Sequence, residues 1–273
     1  MPKISVVIPT HDRPELLKRA VASVQNQTYK NFELIVIDDV ESRGGGWARN
    51  QGIKKAQGDF IALLDDDDEW MPNKLEIQMG QFEDTTSDVG FCFSAVKNIK
   101  ADNEDITQVP EGIHNYHKLA LESFKCFLTV TLIIKKSVFE DVGYFDEKFP
   151  SHQDAELMVR ISGKYKGLGI NKPLTLVNMR SDHDSVGKNF EKRIVGREMI
   201  LDKYMNEFKQ RPQFLAHHYF ELGLLYRDNG QFKEANKRFI LALKTDWKAR
   251  YFFHRVSMSV GALPYILRRW IKT

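Results

Sequence analysis

At 273 residues and 42% hydrophobic content, the chain can hold one large domain, or a domain plus an appendage, around a substantial core. A formal net charge of +3 makes no electrostatic case for nucleic acid. The two cysteines, Cys92 and Cys126, form no C-x-x-C pair, which argues against thiolate metal sites and disulfide scaffolds and fits a reducing cytoplasm. The N-terminus lacks a signal-peptide profile, and the longest apolar stretch, 126–134, is too short to span a bilayer.

In chain order, the β-branched run 4–8 ends at Pro9 and predicts a first buried strand. Pro14 opens a helix with Leu16, Leu17, Ala20, Val21 and Val24 on one face. Residues 32–37 predict a second strand that closes on Asp38-Asp39. A flexible loop, Ser42-Arg43-Gly44-Gly45-Gly46, then leads to a short helix over 47–56. Gly58-Asp59 turns into a third strand, and residues 72–82 are helical. A strand follows over 89–96, then a polar, loop-like segment over 97–118. Residues 131–134 predict a strand, 136–142 and 154–164 helices, and 174–177 a last strand. This alternation is the pattern of an α/β fold with a mainly parallel central sheet covered on both faces. Past residue 190 strand signals vanish, which predicts an α/β domain over 1–205 and a helical region over 206–273.

The third strand, Phe60-Ile61-Ala62-Leu63-Leu64, runs directly into Asp65, Asp66, Asp67 and Asp68. Four adjacent carboxylates repel one another and are costly to desolvate. A solvated acidic turn would also read this way. A hard divalent cation, Mg²⁺ or Mn²⁺, relieves the repulsion through oxygen ligands, and ligands gather beyond the carboxyl ends of strands in open α/β sheets. His114 and His117, three apart with no third ligand at a recognisable spacing, read as a solvated loop.

Taken together, Ser5-Val6-Val7-Ile8-Pro9-Thr10, Ile37-Asp38-Asp39, Ala48-Arg49-Asn50-Gln51-Gly52-Ile53, Leu64-Asp65-Asp66-Asp67-Asp68, Gln153-Asp154-Ala155-Glu156-Leu157 and His183-Asp184-Ser185-Val186 resemble glycosyltransferase family 2. The resemblance covers residues 1–190. It implies the GT-A fold, a nucleotide-sugar-binding α/β sandwich, and an inverting transfer. By resemblance, Pro9, Thr10, His11 and Arg13 line the nucleotide pocket, and Asp39 accepts a hydrogen bond from the base. Arg49 is a phosphate or base-side partner, although a surface helix arginine would look the same. The D-x-D motif falls on Asp65 and Asp67, with Asp67 the direct ligand of Mn²⁺ or Mg²⁺, Asp66 near the ribose, and Asp65 and Asp68 in support. Asp154 is the implied catalytic base. Taken alone it also reads as a helix N-cap. His183 would close over the diphosphate. The family often has a glutamate before the base where this chain has Gln153. Only nine residues separate Asp39 from Arg49, fewer than the family usually has, so the chain must cut directly across at Gly44-Gly45-Gly46.

In the helical region, Tyr219, Leu222, Gly223, Tyr226, Gly230, Ala235, Phe239 and Ala242 are spaced as in one tetratricopeptide repeat over about 216–249. One repeat cannot bury its own face, so it should pack on neighbouring helices, on the first domain, or on a protein or second-copy partner. The tail over 248–273 is basic and aromatic without an acidic residue, which suits either an anionic membrane surface or ordinary helix packing. The function expected is glycosyl transfer from a nucleoside-diphosphate sugar, uridine diphosphate by default, to a glycan or lipid-linked acceptor. The setting expected is cell-surface polysaccharide synthesis, in the cytoplasm or peripherally at the inner membrane face. The alternatives are a sugar-phosphate nucleotidyltransferase, whose glycine-rich basic loop is not visible after Ile8, and a non-catalytic helical adaptor.

Overall fold

The β-branched first run forms β1 (Ile4–Thr10), buried at every residue. Pro14 at the first turn opens α1 (Pro14–Gln25), and β2 (Phe32–Asp38) returns parallel to β1, from Ile4 opposite Phe32 to Thr10 opposite Asp38. A short loop leads to α2 (Gly45–Lys55), and β3 (Phe60–Leu63) pairs parallel with the other edge of β1. There follow β4 (Glu69–Trp70), α3 (Lys74–Phe82), β5 (Val89–Ile99), β6 (Glu104–Thr107), β7 (Gly112–His114) and α4 (His117–Glu122). A 3-10 turn (Thr129–Thr131) precedes β8 (Ile133–Lys135), α5 (Lys136–Val142), α6 (Gln153–Lys164) and β9 (Lys166–Asn178). This computed structural model describes residues 3–124, 126–179, 189–248 and 251–252.

The strands form one sheet in the order β2-β1-β3-β8-β5-β9-β4, with β6 added to β5 and β7 to β9. Along that path β2, β1, β3, β5 and β9 share one direction, and β8 and β4 oppose it. The fold is therefore α/β with a mainly parallel sheet, as expected. Strands β1 and β3 are buried at every residue and mostly apolar because both faces are covered. On one face, Ile4, Val6, Ile8, Ala62 and Leu64 pack with Leu75 and Phe82 of α3. On α2, Gly52 lies so close to β1 that an added Cβ would stand 2.2 Å from Val7 Cγ1. These contacts fix the strand ends on which the site is built.

The segment 97–118, expected as polar loop, carries β6, β7 and the start of α4. β6 is exposed at every residue, so it lacks the alternation that marks a strand. The strand expected at 131–134 starts only at Ile133, Thr131 ending the 3-10 turn, and β9 begins at Lys166 instead of 174. Its first half holds Gly167 and Gly169, poor strand formers that are needed here. An added Cβ would stand 2.3 Å from the Phe91 ring at Gly167 and 1.9 Å from the Pro110 carbonyl oxygen at Gly169. Pairing with β5 and β7 overrides their propensity.

The chain divides into two compact units, Met1–Lys148 with Gln153–His183, and Phe149–His152 with Asp184–Thr273. All the strands belong to the first. The second contains α7 (Phe190–Lys203), α8 (Met205–Lys209), α9 (Pro212–Asp228) and α10 (Phe232–Thr245). Its boundary precedes α7, whereas the expected division at residue 205 follows it. Asn189 caps α7, its side chain accepting from Lys192 N at 2.9 Å. α9 and α10 join at a turn where Gly230 has φ +76°, and Gly223 lets the Phe239 ring within 2.4 Å of where a Cβ would be. Most of the basic tail lies outside the described residues. Tyr251, one of its aromatic residues, is buried and stacks on Phe220 with ring centroids 4.7 Å apart. Among the described residues, no helix is long and apolar enough to cross a membrane.

Candidate active site

Because β1, β2 and β3 are parallel, their C-terminal loops open on the same edge of the sheet. The aspartate run follows β3, and Leu64 N still donates to Val7 O, so the ladder holds up to the first carboxylate. Asp66 is buried and doubly tied: Thr10 Oγ1 donates to its Oδ2 at 2.8 Å and Arg13 Nη1 to its Oδ1 at 3.3 Å. Asp65 accepts from Arg49 Nη2 at 2.5 Å. Asp68 is buried and accepts from Asn178 N at 2.9 Å, and burial first, then Asp67 and Asp65, raise its carboxyl well above the usual range. Asp67 is different. Arg13 Nη1 stands 3.6 Å from its Oδ2, beyond hydrogen-bond reach, and the carboxyl is pushed up to about 6 by burial, then by Asp65 and Asp66, with Arg13 opposing. The run thus has three carboxylates held by hydrogen bonds from other segments and one, Asp67, held by the longer Arg13 contact and repelled by Asp65 and Asp66.

The loops after β1 and β2 lock together. Asp39 N donates to Thr10 O at 2.8 Å. His11 Nδ1–H donates to Asp39 O at 2.8 Å, and Ser42 Oγ–H donates to His11 Nε2 at 3.2 Å. Both turns hold a left-handed residue, Asp12 at φ +49° and Ser42 at φ +56°. The Asp39 carboxylate accepts from Arg43 N at 2.9 Å and Gly44 N at 2.6 Å, and Gly44, at φ +103°, then starts α2. The short crossing expected at the glycines is therefore wrapped around Asp39. Each of its oxygens keeps a second lone pair for a ligand.

Arg49 projects from α2 to the aspartates, its side chain 13% exposed and its guanidinium carbon 5.6 Å from the Phe145 ring centroid. Its Nε is buried without a partner. Asp154 sits in the first turn of α6, and its Oδ1 accepts from Ala155 N at 2.8 Å. The helix begins at Gln153, so Asp154 is inside the helix and not its cap. Burial pushes the Asp154 carboxyl up to about 6; Ala155 N–H and Arg49 oppose the shift and Asp65 adds to it. Arg49 in turn feels Asp65, Asp154 and Asp67. The implied base and the aspartate run, far apart in sequence, act on the same guanidinium: Asp65 by a direct bond and Asp154 through its field.

A family model described as glycosyl transferase family 2 matches residues 5–41 and 40–142, which carry all three loops and the aspartate run. The chain belongs to glycosyltransferase family 2. It is 26% identical to the amylovoran biosynthesis glycosyltransferase AmsB of Erwinia amylovora, over 91% of this chain and 90% of that one. An uncharacterized glycosyltransferase of Rickettsia typhi is 24% identical over 85% of this chain and 82% of its own length. A longer one from Rickettsia bellii matches 66% of this chain at 29% identity, and this chain spans only 29% of it. Among solved structures, residues 1–349 of S. aureus TarS with UDP-GlcNAc superpose with a TM-score of 0.60 at 16% identity, covering 95% of this chain and 92% of that one. The mannosyltransferase PcManGT of Pyrobaculum calidifontis, with GDP-Man and Mn²⁺, does so at 0.60 and 14%, covering 98% and 83%. At those identities the structures establish the GT-A fold.

This family 2 glycosyltransferase brings Thr10, His11, Arg13, Asp39, Arg49, the four aspartates and Asp154 to one edge of its sheet, with Pro9 buried at the end of β1. His183 lies outside the described residues. His114, at the end of β7, is spent locally, Nε2 donating to Glu111 O at 2.9 Å. Among the described residues no three His, Cys, Asp or Glu side chains form a ready metal cage. The sequence motifs contain Asn50, buried inside α2, and Glu156, which pairs with Arg160 on α6, but assign neither a role. An asparagine in a helix interior is a weak helix former and was a usable signal; the i,i+4 spacing was another.

Proposed function

We propose that this glycosyltransferase is a metal-dependent, inverting enzyme. It moves a sugar from a nucleoside-diphosphate donor, uridine diphosphate by default, to a hydroxyl of a glycan or lipid-linked acceptor in cell-surface polysaccharide synthesis. The observation that carries the reading is the bond of Arg49 to Asp65 of the aspartate run, in a guanidinium that also feels the buried Asp154. The structures of TarS with UDP-GlcNAc and PcManGT with GDP-Man support a nucleotide-sugar donor, and the polysaccharide role of AmsB supports the setting.

The residues fit a divalent cation. Asp67 is an oxygen donor with surplus negative charge beside two further carboxylates. With no three-residue cage among the described residues, Asp67 would be the direct protein ligand, and phosphate and water oxygens would complete the shell. Mn²⁺ or Mg²⁺ bound there supplies a Lewis acid that neutralises the departing diphosphate. Arg13 lies against Asp66 and Asp67, placed to meet phosphate oxygens. Asp66, held by Thr10 and Arg13, faces the ribose, and the loop wrapped on Asp39 meets the base. The Asp154 carboxylate takes the acceptor hydroxyl's proton as that oxygen attacks the anomeric carbon from the side opposite the diphosphate, which inverts the configuration. Near pKa 6 it is ionised at neutral pH and still basic enough to accept a proton. The α9–α10 pair is proposed as a tetratricopeptide-like packing unit, and the basic tail as a contact to an anionic membrane.

A thermal-shift screen of UDP-, GDP- and dTDP-sugars with and without Mn²⁺ tests the reading. One donor should raise the melting temperature, more so with Mn²⁺, because ligand binding stabilises the native state by mass action. No donor response with Mn²⁺, together with no nucleoside diphosphate release across the panel, sinks it.

A further inference from the structure

Arg49 and Asp154 lie on different helices, α2 and α6, so their separation depends on whatever joins those helices. The segment 142–147, between α5 and α6, is held from both. From α2, Asn50 Nδ2 donates to Phe145 O at 2.9 Å and Glu147 Oε1 at 2.7 Å, and Asn50 Oδ1 accepts from Phe145 N at 3.0 Å. From α6, Arg160 donates through Nη1 to Val142 O at 2.7 Å and Gly143 O at 3.1 Å, and through Nη2 to Tyr144 O at 2.8 Å. Glu156, fully buried, aligns that guanidinium by accepting from Nε at 2.8 Å and Nη2 at 2.7 Å. Gly143, at φ +86°, makes the bend that turns these carbonyls towards Arg160. The Phe145 ring, buried, then lies against the Arg49 guanidinium. At the near ends of the helices, Gly46 lets Gln153 in: a Cβ there would stand 2.8 Å from Gln153 Nε2.

We infer that Asn50, Arg160 and Glu156 are positioning residues: through the 142–147 strut they set the distance between Arg49 and the catalytic Asp154. None of the three need touch substrate. A buried asparagine with donors and acceptor all used is costly to disturb, so the strut has one arrangement. The inference rests on the assignment of Asp154 as base, and the test separates the two.

Asn50→Asp, Arg160→Lys and Asn50→Asp with Glu147→Gln are compared with wild type and with Val24→Ala, a core change on α1. Nucleoside diphosphate release is followed on the UDP-, GDP- and dTDP-sugar panel with Mn²⁺. The single strut variants should lose about 10- to 100-fold in kcat with donor KM within about threefold, because a misplaced base costs turnover and not donor binding. The acidic limb of their kcat profile should move, and the double variant, which exchanges the ends of the 2.7 Å bond, should regain part of the loss. Unchanged kcat in both single variants, or a fall no greater than Val24→Ala shows for the same loss of melting temperature, overturns the inference and leaves Asp154 untouched. Hydrogen exchange needs no donor: Asn50→Ser should loosen 142–147 and 153–156 together. Loosening confined to 142–147 overturns the strut even if the panel is silent, an outcome that would by itself count against the donor reading.

Discussion

Asp67→Asn separates the stability of this fold from its function. Asp67 is raised from 3.8 to about 6 in the folded chain. At roughly 1.4 kcal/mol per unit, that is on the order of 3 kcal/mol of penalty at neutral pH. The side chain is 22% exposed and coupled to its neighbours, so about 1–2 kcal/mol is the reasonable expectation after solvent screening. The folded pKa lies above the unfolded one. The penalty is thus absent where both states are protonated, grows as pH rises from about 4 through 6, and is complete above that. The attraction of Arg13, 3.6 Å away, is already contained in that net shift. Urea denaturation in EDTA should find Asp67→Asn about 1–2 kcal/mol more stable than wild type at pH 7.5, with equal m-values and the gap closing towards pH 4. Saturating Mn²⁺ should reverse the order, adding about 2.7 kcal/mol to wild type at a hundred times its Kd and nothing to the variant. A less stable variant in EDTA, a gap independent of pH, or equal stabilisation of both by Mn²⁺ would refute the reasoning.

Turnover in saturating Mn²⁺ should fall about tenfold per pH unit below 6 and level off above 7, since protonated Asp154 cannot accept the acceptor's proton; a flat profile from pH 5 to 8 counts against it. Lys74 is buried in the core, its Nζ donating to Gln78 Oε1 at 2.5 Å and standing 4.2 Å from the Trp70 ring centroid; burial pushes it down to about 7. Because the unfolded lysine keeps its proton up to 10.5, Lys74→Met should be the more stable form at pH 7. Its advantage should shrink by about 1.4 kcal/mol per unit towards pH 10 in urea titrations, and a constant gap would contradict this. Gly52→Ala puts a Cβ 2.2 Å from Val7 Cγ1, so thermal denaturation should show a loss of about 1–3 kcal/mol as α2 is forced off β1, and turnover should drop with it.

The strands that carry the site were legible because burial on both faces leaves largely apolar runs, as in β1 and β3. The aspartates were legible because four adjacent carboxylates directly follow a buried strand. What each aspartate does was not, since their partners come from residues 10, 13, 49 and 178. Asp39 was read for a base contact, yet its oxygens already hold Arg43 N and Gly44 N, a local turn bond that the short crossing foreshadowed. β6 and the first half of β9 escaped because one is wholly exposed and the other is rich in glycine that only its neighbours explain. Asn50 meets Phe145 across the fold, and no local pattern joins them.

The measurement closest to the central claim compares wild type with Asp154→Asn on the donor that the thermal-shift screen selects, reading both donor affinity and nucleoside diphosphate release with Mn²⁺. The account predicts donor Kd within about threefold and turnover lower by about 10²- to 10⁴-fold, the usual worth of a positioned base. Full turnover by Asp154→Asn would contradict it.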